Sequence, residues 1–135
     1  MSGAVLDSFA LIAFFRNEPG ADAVEQRFLS AVESQQFLAM TEVNYSETKY
    51  MILRKNGEDA WNQVFGVLQS LPIQFFPADR HLSDIAATFK SQNKLSLADA
   101  YAAALSQSLD LPLITGDPEF KQLEKEIKIH WLPVG

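Results

Sequence analysis

Short apolar runs separated by helix-length amphipathic stretches constrain this chain more than any other feature. Ala4 to Asp7, Phe37-Leu38-Ala39, Ile73 to Phe76, Leu111 to Ile114 and Ile127 to Leu132 read as strands. Helical spacing lies between them. An apolar helix runs from about Phe9 to Phe15 (Phe9, Ala10, Ile12, Ala13), and after Pro19-Gly20 a second carries Ala23, Val24, Phe28 and Ala31. Thr41 caps a helix to about Lys55, stopped at Asn56-Gly57, and Trp61, Val64, Phe65 and Leu68 mark another. Asp79 to about Gln92 is helical (Leu82, Ile85, Ala86, Phe89), Ser96 opens a helix to about Leu109, and Pro118 opens a short one. Strands separated by helices need crossover connections, so the sheet is expected to be mainly parallel with helices on both faces.

At 135 residues with 47% hydrophobic content, the chain is expected to form a single domain, 1–135, with one substantial core. The aromatic supply of Phe14, Phe15, Phe28, Trp61 and Phe65 is assigned mainly to that core, with a share left for an interface. No apolar stretch approaches the roughly 20 residues of a bilayer-spanning helix, and Asp7 interrupts the N-terminal apolar run, so no membrane association and a cytoplasmic location are expected. The absence of Cys removes disulfides, thiol nucleophiles and thiolate zinc sites, while His81 and His130 are too few and too far apart for a His-rich site.

Carboxylate oxygens remain as metal ligands, and four acids stand at separate landmarks. Asp7 closes Ala4-Val5-Leu6, Glu47 lies within a helix, Asp99 opens one, and Asp117 follows Thr115-Gly116. In a parallel sheet the binding crevice forms at the carboxyl ends of the strands. Asp7 and Asp117 fall just past such ends, and Asp99 begins a helix that starts near the same edge. Glu47 shares a helical face with Val43, Asn44, Tyr50 and Met51, where a buried carboxylate costs several kcal/mol unless compensated. Glu42, five positions away on another face, fits the first turn of its helix and is left out of the site. Gathered together, the four acids make an all-oxygen pocket for hard divalent cations, suited to metal-dependent phosphodiester hydrolysis.

Each acid also has a purely local role available. Ser96-Leu97-Ala98-Asp99 matches a capping box, Asp117 precedes Pro118 as an N-cap would, and Asp7 is able to cap the helix after it. Capping explains neither a convergence of three caps nor Glu47. Ser8, Asn44 and Thr115 stand beside the acids as candidates to orient carboxylates or bound water. The net charge of -6 opposes broad adhesion to nucleic acid, although bound cations would invert the local field. Arg16, Lys49, Arg54, Lys55, Lys90 and Lys94 flank the acidic positions as candidate grips on substrate, with a plain solvated role equally open.

Val5-Leu6-Asp7-Ser8, Asn44-Tyr45-Ser46-Glu47, Ser96-Leu97-Ala98-Asp99-Ala100 and Leu113-Ile114-Thr115-Gly116-Asp117-Pro118-Glu119-Phe120 resemble, in order, the successive motifs of PIN-domain nucleases. Size and build are similar to VapC-type toxins of toxin-antitoxin pairs. The resemblance implies a PIN-like α/β fold, a three-layer α/β/α sandwich on a five-stranded parallel sheet. It also implies an endoribonuclease using one or two Mg²⁺ or Mn²⁺ ions, with Asp7, Glu47, Asp99 and Asp117 as catalytic metal ligands. The expected partners are an RNA substrate, a small antitoxin and a second copy in a homodimer. Two positions depart from the pattern: Phe9 stands where many relatives have a small polar residue, and Glu119 where some carry a further aspartate, which makes Glu119 an auxiliary ligand. A catalytically silent PIN-like module that binds RNA or protein is the alternative, and a DNA-directed nuclease of related fold is another. A haloacid-dehalogenase-type phosphatase would need an aspartate at the Phe9 position, and a receiver domain would need an acidic pair and a late-strand lysine that the chain lacks.

Overall fold

The computed structural model describes residues 3–135. The elements run β1 (Val5–Leu6), α1 (Ser8–Phe15), α2 (Ala21–Glu33), β2 (Leu38–Thr41), α3 (Glu42–Asn56), α4 (Glu58–Leu68), β3 (Ile73–Phe76), α5 (Arg80–Gln92), α6 (Leu97–Leu109), β4 (Leu113–Thr115), a 3-10 helix (Pro118–Leu123) and β5 (Ile129–Trp131). The five strands form one sheet in the order β3-β2-β1-β4-β5, and every pairing is parallel.

Alternate strand residues serve the two faces, as the two-residue period of a strand dictates. Leu6, Leu38, Met40 and Ile114 pack into the core beneath α1 to α4, whereas Val5, Ala39 and Leu113 pack into the core beneath α5 and α6. These two cores make a three-layer α/β/α sandwich. The inner strands β1, β2 and β4 are buried at every position, and the edge strands β3 and β5 are not. Alanines 102, 103 and 104 of α6 are fully buried, and their small side chains let that helix lie close to the sheet.

From β1 the chain winds outward through β2 to β3, then crosses to β4 and winds the other way to β5. The carboxyl ends of β1 and β4 therefore flank the switch point, where adjacent connections diverge and leave a crevice.

Several expected boundaries shift for local reasons. β1 ends at Leu6 because the next residue leaves the strand to cap α1. Phe37 is 61% exposed and lies outside β2, which instead extends to Thr41. β4 starts at Leu113, since Pro112 has no N–H and the Leu111 N–H closes α6 on the Ser106 carbonyl. β5 is confined to Ile129–Trp131. On α2 the inward residue is Ala21, while Ala23 faces solvent. Phe28 and Trp61 are core residues with Phe14 and Phe15 packed against them, whereas Phe65 is 41% exposed. Among the described residues no helix is long and apolar enough to cross a membrane.

Candidate functional site

The site grows from the end of the central strand. Asp7 takes an extended conformation (φ -96°, ψ -179°) and its Oδ1 accepts the Ala10 N–H at 2.9 Å, capping α1. Its Oδ2 accepts the Thr115 hydroxyl at 2.5 Å. Thr115, the last residue of β4, also accepts the Asp117 N–H on Oγ1 at 3.0 Å, so one hydroxyl ties the first strand's acid to the backbone of the fourth strand's acid. Asp117 in turn caps the 3-10 helix, with Oδ1 accepting the Glu119 N–H at 2.9 Å. Asp99 comes from the first turn of α6, where its N–H donates to the cap hydroxyl of Ser96 at 3.1 Å and its carboxyl turns to Asp117.

A buried polar knot sets the helices that carry these acids. Asn44 is 0% exposed; its Nδ2 donates to the Ala98 carbonyl at 3.2 Å and to Ser8 Oγ at 3.4 Å, and its Oδ1 accepts the Thr41 hydroxyl at 2.5 Å. Ser8 Oγ donates back to the Asn44 carbonyl at 3.1 Å. α1, α3 and α6 are thus pinned together at their N-terminal ends, one turn or less from Asp7, Glu47 and Asp99. Of the three neighbours expected to orient carboxylates, Thr115 bonds one directly, while Ser8 and Asn44 act on the helices. Thr41 belongs to the same knot and is legible in sequence only as a helix cap.

Glu47, Asp99, Asp117 and Glu119 line one cleft of about 400 Å³, together with Ser8, Phe9 and Arg16. Asp7 is not part of the lining: it is buried, 1% exposed, yet close enough to feel the charges of Asp117 and Glu47. Glu47 departs from its expected setting. It is half-buried, and the inward stripe of α3 is Asn44, Thr48 and Ile52, so no apolar burial forces a cation onto it. Among the flanking basic residues, Arg16 alone lines this cleft; Lys49 lies over the Trp61 ring, Arg54 over the Tyr50 ring, and Lys90 donates to the Leu95 carbonyl.

The electrostatics are those of crowded carboxylates, two of them, Asp7 and Asp99, buried. Burial pushes the Asp7 carboxyl from 3.8 up to about 7; the bonds from Thr115 and Ala10 pull the other way, and Asp117 and Glu47 raise it further. Burial, then the charges of Asp117, Asp7 and Glu47, push Asp99 from 3.8 up to about 8. The charges that raise these two carboxyls are those of the neighbouring acids. One oxygen each of Asp99, Asp117 and Glu119 lie within 4.8 Å of one another. An all-oxygen donor set this close, on groups whose mutual repulsion a cation would relieve, fits a hard divalent ion. The closest trio includes the auxiliary Glu119, and Asp7 stands beside it.

The sequence matches the PIN domain family over residues 4–126. No curated protein sequence matches the chain. Solved structures with the same fold include VapBC2 of Rickettsia felis, crystallised on a DNA fragment from its promoter (TM-score 0.78, 10% identity, 97% of this chain and 99% of that one). DNA-bound VapBC of Salmonella typhimurium is similar to the same degree (TM-score 0.77, 16% identity, 96% and 98%). VapC20 of Mycobacterium tuberculosis, described as a toxin cleaving the sarcin-ricin loop, gives a TM-score of 0.69 at 14% identity over 88% and 93% of the two chains.

Proposed function

This chain belongs to the PIN-domain family, and we propose that it is a metal-dependent endoribonuclease, the toxin of a type II toxin-antitoxin pair. The observation that carries the chemistry is the meeting of Glu47, Asp99, Asp117 and Glu119 in one cleft at the switch point of the sheet with Asp7 buried beside them, Asp7 and Asp99 having strongly raised pKa values. The similarity to solved VapBC assemblies supports the biological role.

Asp99, Asp117 and Glu119 supply the closest oxygens for Mg²⁺ or Mn²⁺, with Asp7 and Glu47 completing the negative shell. Bound there, one or two such ions would acidify a water and offset the charge that develops on the phosphate. Thr115 and the Ala10 N–H hold both oxygens of Asp7, so its carboxylate needs little reorganisation on binding a cation. The polar knot around Asn44 keeps α3 and α6 at a fixed spacing, which preserves the distance from Glu47 to Asp99. Overall, a water oxygen displaces the 3′-oxygen from phosphorus in line, leaving a 5′-phosphate and a 3′-hydroxyl. The enzyme acts in the cytoplasm on RNA, as a homodimer held in check by a small antitoxin.

Incubating the purified chain with end-labelled RNA tests this. Cleavage is expected with Mg²⁺ or Mn²⁺, none with EDTA, and none from Asp117→Asn. Products bearing a cyclic phosphate, or cleavage that survives EDTA, would refute the mechanism. RNA binding without any cleavage would favour the silent module.

A further inference from the structure

The hydrolysis described above uses one wall of the cleft, that of Glu47, Asp99, Asp117 and Glu119. The other wall is a face of α1 and the turn that follows it: Phe9, Ile12 and Arg16, spaced i, i+3 and i+7, with Glu18 two residues beyond. We propose that this face seats the RNA nucleotides next to the cut, with the Phe9 ring stacking on an unpaired base and the Arg16 guanidinium holding a neighbouring phosphate. The proposal rests on the nuclease reading and deepens it by naming the substrate contacts.

Phe9 is only half-buried although it is aromatic and stands beside the most buried acid of the site. Its ring is set by Gly116, the residue before Asp117: a Cβ there would lie 2.4 Å from Phe9 Cε1 and 2.8 Å from Cζ. The glycine therefore admits the ring to the seam between β4 and α1, against the segment that carries Asp117. Arg16, at the far end of α1, is tied to the last turns of α3. Its Nε and Nη2 donate to Asn56 Oδ1 at 3.3 and 3.2 Å, and Nη2 also donates to the Met51 carbonyl at 3.4 Å.

The three bonds end on two neutral acceptors, Asn56 Oδ1 and the Met51 carbonyl, and Nη1 takes part in none of them. Seven residues of helix separate the ring from the cation by roughly 10 Å. The cleft thus orders a π-face beside the acids and a planar donor fork farther along. Unpaired RNA is read in this way, by stacking and by bidentate phosphate contacts. Stacking is indifferent to the net charge of -6 that disfavours wholesale phosphate binding.

The test measures binding in an Asp99→Asn background, so that cleavage does not intervene. Fluorescence anisotropy in Mg²⁺ would compare a short mixed-sequence single-stranded RNA with an abasic ribose-phosphate chain of the same length, and circular dichroism would confirm folding. Phe9→Leu, which keeps apolar packing but lacks a π-face, is expected to raise Kd for the base-bearing RNA about tenfold and to leave the abasic chain within about twofold. Phe9→Tyr should restore the affinity. Arg16→Gln is expected to weaken both probes and to lower the salt dependence by about one phosphate contact. An unchanged RNA affinity in Phe9→Leu would overturn the proposal and leave the wall to a protein segment. Equal loss on both probes would also overturn it, because Phe9 would then be a packing residue only. The nuclease reading is judged separately on the unsubstituted protein. Cleavage without Phe9-dependent discrimination sinks the wall alone, and discrimination without cleavage sinks the nuclease alone.

Discussion

Two helices of this protein begin in the same way. Asp7 opens α1 and Asp79 opens α5, each with extended cap dihedrals and each accepting the N–H three residues on at 2.9 Å. Both follow the carboxyl end of a parallel strand. Yet Asp79 is exposed and stands past the edge strand β3, whereas Asp7 is 1% exposed past the central strand β1. The central position brings a neighbour on each side. β4 supplies Thr115 and Asp117, and the helix after β2 supplies Glu47. Identical local chemistry thus yields a solvated cap in one place and a crowded, proton-retaining carboxyl in the other, and the difference lies in strand order.

The largest test of that contrast is activity. Asp7→Asn, which still caps α1, should lower RNA cleavage by on the order of 10³-fold or more. Asp79→Asn should leave cleavage within about twofold in the same gel assay. Equal losses would erase the distinction between the two caps.

Metal linkage comes next. Mg²⁺ at a hundred times its Kd should stabilise the protein by about 2.7 kcal/mol, read as a rise in Tm by differential scanning calorimetry. Asp79→Asn should keep that rise, and Asp99→Asn combined with Asp117→Asn should lose it. Survival of the rise in the double variant would place the ion elsewhere.

The metal-free protein offers a pH test. Asp7 and Asp99 bind their protons more tightly when folded, at about 7 and about 8 against an ordinary 3.8. Their contribution to stability is therefore complete below about pH 4 and is lost as pH rises through 7 and 8. In EDTA, Tm should fall across that window, and Asp99→Asn should flatten the fall. A Tm that climbs steadily to pH 8 would contradict the assigned protonation.

The smallest expected effect belongs to the ordinary cap. Asp79→Ala should cost about 1 kcal/mol in urea unfolding with cleavage unchanged. A cost near zero would mean that the α5 cap bond is not maintained in solution.

Much of the fold was readable because punctuation and periodicity agreed. Pro72 and Pro77 bracket Ile73–Phe76, and that strand matches its expected bounds. Thr41 and Gly57 bound α3, as the capping side chain and the positive φ of 91° require. One reading failed against the helical period itself: Ala21, Val24, Phe28 and Ala31 fall at i, i+3, i+7 and i+10 and are buried, whereas Ala23, next to Val24, lies about 100° away around the helix.

At the site, Asp7, Asp99 and Asp117 were conspicuous because each stands where a strand ends or a helix begins. The argument for Glu47 rested on a buried apolar stripe that α3 does not have. Glu119, expected as auxiliary, sits in the tightest trio, since the 3-10 turn after Pro118 swings it back over Asp117. The Phe9–Arg16 face was present in sequence only as helical spacing, and nothing local says which way a helix face looks.

Read alone, the order of residues determined which segments become strands or helices and where each carboxylate falls along them, because caps, prolines and hydrophobic period act over a few neighbouring residues. The tertiary structure decided which acids lose their water and feel one another. That outcome depends on strand order and helix packing, which bring Asp7 and Thr115 into a 2.5 Å bond across 108 residues of chain. Desolvation and charge repulsion act through space and carry no trace in local sequence.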